Sequence, residues 1–187
     1  MVGRVLVLTD RTQATRPLVE VVAAAVDEGA AAVLLREKDL PRDERRAMAE
    51  ALLAVVGDAR LLIASDAELA RELGLGVHLA ARELGSASLV GVSCHDDAEL
   101  ARAAAMGADY ATLSPIFESR SKPGYGPALG PEALSGAPLP VYALGGIEPG
   151  RATACVRAGA AGVAVMGAVM REPGVVRRLL AELRDSS

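Results

Sequence analysis

A compact (β/α)8 TIM barrel is the fold this sequence predicts. Eight short apolar runs recur along its 187 residues, each closing in a polar or glycine-rich knot. Helical patterns fill most of the intervals, and several of them stop at a glycine. Strand and helix alternating from end to end mean parallel pairing through right-handed crossovers, and eight such units suggest closure into a barrel. The strands read as unbroken apolar runs, as strands covered on both faces do. An open doubly wound sheet is the competing architecture, but LVLTDRTQAT lacks the glycine-rich turn that a dinucleotide fold places after its first strand.

RVLVLTD is the first strand, followed by a helical pattern over 14–29 that stops at Gly29. AAVLLREKD comes next, then a helix over 41–57 ending at Gly57. RLLIASD and LGVHLA are the third and fourth strands, and their units are trimmed. Nine residues separate Asp66 from Gly76, and Leu79 to Leu89 leaves room for one short helix. LVGVSCH leads into a helix over 96–107 that stops at Gly107, whereas YATLSPI leads into a long loop. VYALGGI precedes a helix over 148–159 ending at Gly159, and GVAVMGAV precedes the last helix, 172–184. With only about 23 residues per unit the barrel is tight. No linker or low-complexity tract interrupts it, so residues 1–187 are expected to form a single domain.

Apolar residues make up 51% of the chain, enough for a real core, yet there is no Trp and one Phe, Phe117. The core must therefore be packed from Ala, Val, Leu, Met and Gly. The net charge of −4 is spread over interspersed acids and bases with no basic block, which argues against nucleic acid and for a small-molecule partner. The N-terminus reaches Asp10 too soon for a signal peptide, and no stretch approaches a membrane span, so a cytoplasmic location is expected. Cys94 and Cys155 sit in apolar surroundings and read as buried free thiols of a reducing compartment.

Between Ala108 and Gly130 the character changes at Pro115, from apolar β-formers to Ser, Arg, Lys, Gly and Pro. Ser119, Arg120, Ser121 and Lys122 supply hydroxyl donors and two cations within four residues, a set suited to a phosphate. A solvated surface loop is the plainer alternative.

A barrel places its chemistry at the carboxyl ends of its strands. The candidates are then Asp10, Arg36, Glu37, Lys38, Ser65, Asp66, Ser93, His95, Ser114, Gly145, Gly146, Met166 and Gly167. Gly145–Gly146 and Met166–Gly167 end the last two strands, where backbone N–H groups often hold phosphate; tight turns alone would also explain the glycines. The two-residue strand period puts Leu34, Arg36 and Lys38 on one face, a second anion subsite unless the two cations are surface ion pairs. Ser93 and His95 share a face with Cys94 on the other. Asp66 and Glu83 could share a divalent cation such as Mg²⁺ with phosphate oxygens, or Asp66 could cap the following helix. His95 suits proton transfer near neutral pH, or helix capping, or substrate orientation. His78, inside VHLA, reads as a barrel-interior residue held by a hydrogen bond.

LVLTD, LLREKD, IASD, GVHLA, GVSCH, GADYATLSPIF, the Ser119–Lys122 loop, ALGGI and GVAVMGAV, in that order, resemble the thiamine phosphate synthase family and its close relative, the thiazole tautomerase. The resemblance spans nearly the whole chain. It implies a barrel that binds a thiazole phosphate at the seventh and eighth strand ends and, in the synthase, a pyrimidine diphosphate and Mg²⁺ across the mouth. The departures matter. Where a synthase has Gln-Leu-Arg-Glu-Lys, Leu34 replaces the Gln, while Arg36, Glu37 and Lys38 match. Where it has Asn-Asp-Arg, Ser65, Asp66 and Ala67 stand, so the metal-binding Asp keeps neither its flanking amide nor its guanidinium. Gly-Gln-Glu-Asp has become Ala80, Ala81, Arg82 and Glu83, and Pro-Thr-x-Thr-Lys has become Glu118 to Lys122.

The phosphate half of the site is thus kept and the pyrimidine half eroded, which favours the tautomerase: a proton shift that aromatises a thiazole carboxylate phosphate, without metal. In that expectation Ser119, Ser121, Lys122, Gly145, Gly146, Met166 and Gly167 hold phosphate. His95 is the acid/base, because a histidine used by the tautomerase falls at Pro115 here. Arg36, Lys38, Ser65 and Ser93 bind the rest of the substrate, Arg36 pairing with its carboxylate. The alternative is the synthase, with Mg²⁺ at Asp66 and Glu83 and release of pyrophosphate. A non-catalytic sensor of thiamine phosphate is a third reading. A homo-oligomer is compatible with the sequence, which singles out no face for it.

Overall fold

The computed structural model describes residues 2–81, 83, 89–118 and 127–184. Among them eight strands close into one all-parallel barrel in sequence order, each hydrogen-bonded to its neighbours and the last to the first. The strands are β1 (Val5–Leu8), β2 (Ala32–Leu35), β3 (Arg60–Ala64), β4 (Gly76–Ala80), β5 (Val90–Cys94), β6 (Tyr110–Leu113), β7 (Val141–Ala143) and β8 (Gly162–Val165). The helices are α1 (Leu18–Asp27), α2 (Arg42–Leu53), α3 (Ala67–Glu72), α4 (Asp97–Ala105), α5 (Ala152–Arg157), α6 (Gly167–Arg171) and α7 (Val175–Arg184).

Apolar runs become strands here because both of their faces are covered. On β1, Leu6 and Leu8 point into the barrel with Ala32, Leu34, Leu62, Ala64 and Ala164. Val5 and Val7 point outward to the helices, joining Val21, Val22, Val33, Leu35 and Ile63. This alternation is the two-residue period of a strand with two buried sides. Alanines at positions 25, 49, 70, 103 and 152 let the helices lie close on the sheet, as the aromatic-poor composition required. The barrel floor is aromatic: the Tyr110 and Tyr142 rings meet edge to face with centroids 5.6 Å apart. Gly91 and Gly162 make room for them, since a Cβ at either would collide with the ring beside it.

The helices are shorter than the sequence patterns by up to four residues at an end, and Gly29, Gly57, Gly107 and Gly159 all take positive φ just beyond them. Two features differ from expectation. Residues Pro131–Leu134 form a 3-10 turn between β6 and β7, and the short α6 intervenes between β8 and the last helix. The helix anticipated between Leu79 and Leu89 falls largely outside the described residues. Among the described residues no helix is long and apolar enough to cross a membrane.

Candidate active site

Two glycines shape the end of β7. Gly145 and Gly146 have φ of +93° and +63°, and a Cβ on Gly146 would crowd Phe117 Cβ at 2.8 Å and press on the Glu118 carbonyl. The chain leaving β6 is therefore laid directly on this turn: Ile116 N–H donates to Leu144 O at 2.9 Å and Phe117 N–H to Gly145 O at 3.0 Å. Its return is fastened at the same place, through Leu129 N–H to Pro115 O at 2.8 Å and Gly130 N–H to Ile116 O at 3.0 Å. Ser119, Ser121 and Lys122 lie outside the described residues, but both described flanks of their loop are anchored beside the glycines.

Next to that turn, β8 delivers Met166 and Gly167 into α6. The two strand ends enclose a polar cleft of about 120 Å³ lined by Gly145, Gly146, Met166 and Gly167, with Glu118, Glu148, Arg151 and Arg171 around them. All four residues expected here from the sequence come together. The two arginines were not anticipated. Arg151 Nη1 donates to Gly146 O at 2.8 Å, and its guanidinium sits 5.0 Å over the Phe117 ring. Arg171 follows Gly167 by four residues, one helical turn, and that spacing was the available signal.

Across the mouth, β2 stops at Leu35, where its apolar residues end and short of Arg36 and Lys38. Lys38 N–H donates to Arg36 O at 2.8 Å, closing a tight turn around Glu37, so the strand period does not carry the Leu34 face through to Lys38. Arg36 N–H donates to Thr9 Oγ1 at 2.9 Å. Lys38 opposes protonation of the interior His78, and Arg36 lies close enough to Asp10 to favour its charged form. Burial pushes the Asp10 carboxyl up, yet hydrogen bonds from Thr12 and Gln13 together with Arg36 hold it below the ordinary value. Glu37 is buried and serves the scaffold: Arg11 Nη1 reaches it at 3.0 Å while forking onto Asp39.

Asp66 caps α3, Oδ1 accepting from Leu69 N–H at 2.9 Å, and Oδ2 accepts from Arg45 Nη2 at 2.9 Å. Arg42 Nε lies 3.8 Å from the same oxygen. The capping alternative therefore holds, and α2 brings the Arg45 guanidinium onto the same carboxylate. Glu83 Oε2 accepts from Ala80 N–H at 2.8 Å. Among the described residues no three His, Cys, Asp or Glu side chains gather as a metal cage. Asp66 and Glu83 nevertheless follow neighbouring strands, and each carboxylate oxygen has more lone pairs than these bonds consume. That donor set fits an Mg²⁺ that takes one or two carboxylates and fills the rest of its shell with phosphate oxygens and water. Ser65, beside them, has φ of +53° and a buried Oγ with no partner among the described residues.

Inside the barrel His78 is bonded on both ring nitrogens, Nδ1 to Tyr110 Oη at 3.0 Å and Nε2 to Ser93 Oγ at 2.9 Å. Burial, with Lys38 adding to it, pushes its pKa down to about 3, so it stays a neutral interior group as the sequence suggested. Ser93 faces inward with it, and Cys94 faces the helices. Burial, reinforced by Glu99 and Asp96, pushes the Cys94 thiol up to about 12, and burial with Glu182 takes Cys155 to about 11; neither is a nucleophile at neutral pH. His95 is exposed at the mouth, Nδ1 lying 2.8 Å from the Ser114 carbonyl. A carbonyl only accepts, so this contact calls for a proton on Nδ1, with Ser114 Oγ 3.3 Å from the same nitrogen. His95 N–H donates to Glu99 Oε2, with Asp96 as the helix cap.

A closed parallel barrel with a polar, arginine-lined cleft at its last two strand ends has the architecture of the (β/α)8 enzymes, whose chemistry sits at that face. The thiamine monophosphate synthase family profile matches residues 5–169, and the chain belongs to that family. Thiamine-phosphate synthase of Roseiflexus castenholzii is 38% identical over 91% of this chain and 82% of its own length. Thiamine-phosphate synthase of Thiobacillus denitrificans is 38% identical over 97% of this chain and 93% of its own. The solved thiamine phosphate pyrophosphorylase of Pyrococcus furiosus superposes with a TM-score of 0.86 at 25% identity, covering 98% of this chain and 96% of that one.

Proposed function

We propose that this chain is a thiamine-phosphate synthase, joining a hydroxymethylpyrimidine diphosphate to a thiazole phosphate and releasing pyrophosphate. What supports this reading is the presence of cationic residues at two separate sets of strand ends on one barrel mouth. The β7–β8 cleft with Arg151 and Arg171 lies on one side, and Arg36 and Lys38 with the Asp66 and Glu83 carboxylates lie on the other. A substrate with a single phosphate needs one such set; a coupling of two phosphorylated substrates needs both.

The cleft would hold the thiazole phosphate, with Ser119, Ser121 and Lys122 contributing from the loop. Arg36 and Lys38 would take the diphosphate and stabilise the negative charge that builds on it as it leaves. Asp66 and Glu83 would hold Mg²⁺, which when bound offsets that same charge. Ser65 Oγ, buried and without a partner among the described residues, would donate to or accept from a polar edge of the pyrimidine, and Ser93 is shared with His78. The sequence favoured a tautomerase because the pyrimidine half of the site is eroded. Arg45 weakens that argument by bringing a guanidinium onto Asp66, and relatives bearing the synthase name weaken it further.

His95 supports the second reading. With Nδ1–H bound to the Ser114 carbonyl, its Nε2 could move a proton on a thiazole carboxylate phosphate. Pyrophosphate release measured with both substrates and Mg²⁺ decides between them. Mg²⁺-dependent release that requires both substrates is the expected result. No release, with aromatisation of the exocyclic thiazole tautomer faster than in buffer, would overturn it in favour of the tautomerase. Binding of thiamine phosphate without either turnover would instead mark a sensor.

A further inference from the structure

The arginines of the barrel mouth are nearly all spoken for. Arg11 is forked onto Glu37 and Asp39, Arg45 onto Asp66, and Arg151 donates to Gly146 O beneath its contact with Phe117. Arg171 differs: it lines the β7–β8 cleft, and among the described residues no carboxylate or carbonyl receives its guanidinium. Helical side chains lean toward the N-terminus of their helix, so from its place in α6 Arg171 folds back over the preceding turn. Its Nη1 comes within 3.0 Å of the point where a Cβ on residue 167 would stand, and Gln13 Oε1 lies 2.7 Å from the same point. Gln13 is itself fixed, Nε2 donating to Asp10 Oδ2 at 2.6 Å. Glycine at 167 thus leaves room for the guanidinium beside the cleft; a Cβ there would press on it and on Gln13 Oε1.

The charge balance of the cleft calls for that cation. Glu118 and Glu148 line it too and disfavour an anion; Arg151 offsets one of those charges while it is turned to Gly146 O, and Arg171 is the cation left to offset the other. We infer that Arg171 is a ligand to the phosphate monoester of the thiazole-side substrate and the residue that separates the phosphorylated ring from its free alcohol. A planar guanidinium can place two parallel N–H donors on two phosphate oxygens. The inference rests on the β7–β8 cleft being the phosphate site of the proposed synthase.

Calorimetric titration of the wild type, Arg171→Met and Arg171→Lys tests it, with thiazole phosphate, the unphosphorylated thiazole alcohol, the pyrimidine diphosphate and inorganic phosphate as probes. Arg171→Met keeps the apolar stem, and because Arg171 is exposed its melting temperature should match the wild type. Affinity for thiazole phosphate should fall about ten- to hundredfold in Arg171→Met. Affinity for the alcohol and the diphosphate should not change, Lys should restore part of the loss, and KM for thiazole phosphate should rise with kcat little altered. Equal thiazole phosphate affinity in Arg171→Met and wild type would overturn the role of Arg171. Should the wild type bind no thiazole phosphate at all, the synthase reading fails instead, and the inorganic phosphate titrations decide Arg171: weaker binding in Arg171→Met sustains it, equal binding removes it.

Discussion

Arg45 reaches from α2 to Asp66, Nη2 donating to Oδ2 at 2.9 Å, while Leu69 N–H holds Oδ1 of the same carboxylate. Two successive helices thereby fix the orientation of one of the two carboxylates that the synthase resemblance assigns to the metal. Asp66 is 11% exposed and Arg45 17%, so the pair is better shielded from solvent than the surface bridges of α2 and α7.

A capping carboxylate that also serves chemistry can be split by substitution. Asn caps a helix about as well as Asp, whereas Ala does not, at a cost of about 1 kcal/mol. Asp66→Asn should therefore stay more stable than Asp66→Ala by about that amount in urea denaturation, although both lose Mg²⁺-dependent pyrophosphate release. Equal stabilities would show that the bond to Leu69 N–H contributes nothing.

Gly91 faces Tyr110 and His78 across the barrel floor, and a Cβ there would overlap both the phenol and the imidazole Nδ1. Interior strands leave little room to yield, so Gly91→Ala should destabilise the fold by about 1–3 kcal/mol. It should also separate His78 from Tyr110. Thermal melting reads the first effect; the second appears as a change in the His78 ring resonances, which would stay put if the two side chains were not in contact.

The barrel was legible because burial on both strand faces writes itself into the sequence as unbroken apolar runs, and because each crossover needs a helix and a stop. Asp66 as a cap, His78 as an interior group and the paired glycines at β7 and β8 were legible for the same local reason. Arg45 and Arg171 were not. Their importance comes from what another element brings to them, and a position-by-position tally of lost polar residues cannot see a guanidinium arriving from α2. That blindness is what tilted the sequence toward the tautomerase. Extending the strand period to Lys38 failed for a related reason, since nothing local announces the turn that starts at Arg36.

Gly146 and Gly150 both adopt positive φ, +63° and +93°, but only the first is crowded. A Cβ at Gly146 meets Phe117 and the Glu118 carbonyl, whereas at Gly150 nothing lies within 4 Å. Each alanine substitution should cost about 1 kcal/mol of backbone strain. Gly146→Ala alone should also displace the segment lining the cleft and weaken thiazole phosphate binding about tenfold or more. Calorimetry on the pair separates strain from crowding; equal affinities would mean that Gly146 is only a turn residue.

His78 ties the barrel interior to pH. Its folded pKa, about 3, lies below the ordinary value of 6.5 because burial and then Lys38 disfavour the charged ring. Above pH 6.5 neither folded nor unfolded chain protonates it, and its contribution to stability is complete. As pH falls below 6.5 the unfolded chain takes up a proton that the folded chain refuses, so stability drops by up to about 1.4 kcal/mol per pH unit until the folded ring titrates near 3. Carboxylates add slopes of their own at the acid end, which His78→Gln isolates, since it removes only the imidazole. Between pH 6 and 5 the wild type should lose stability more steeply than His78→Gln, and NMR should find the His78 ring neutral throughout that interval. A ring titrating near 6.5 in the folded protein would mean that water reaches the His78–Tyr110–Ser93 network.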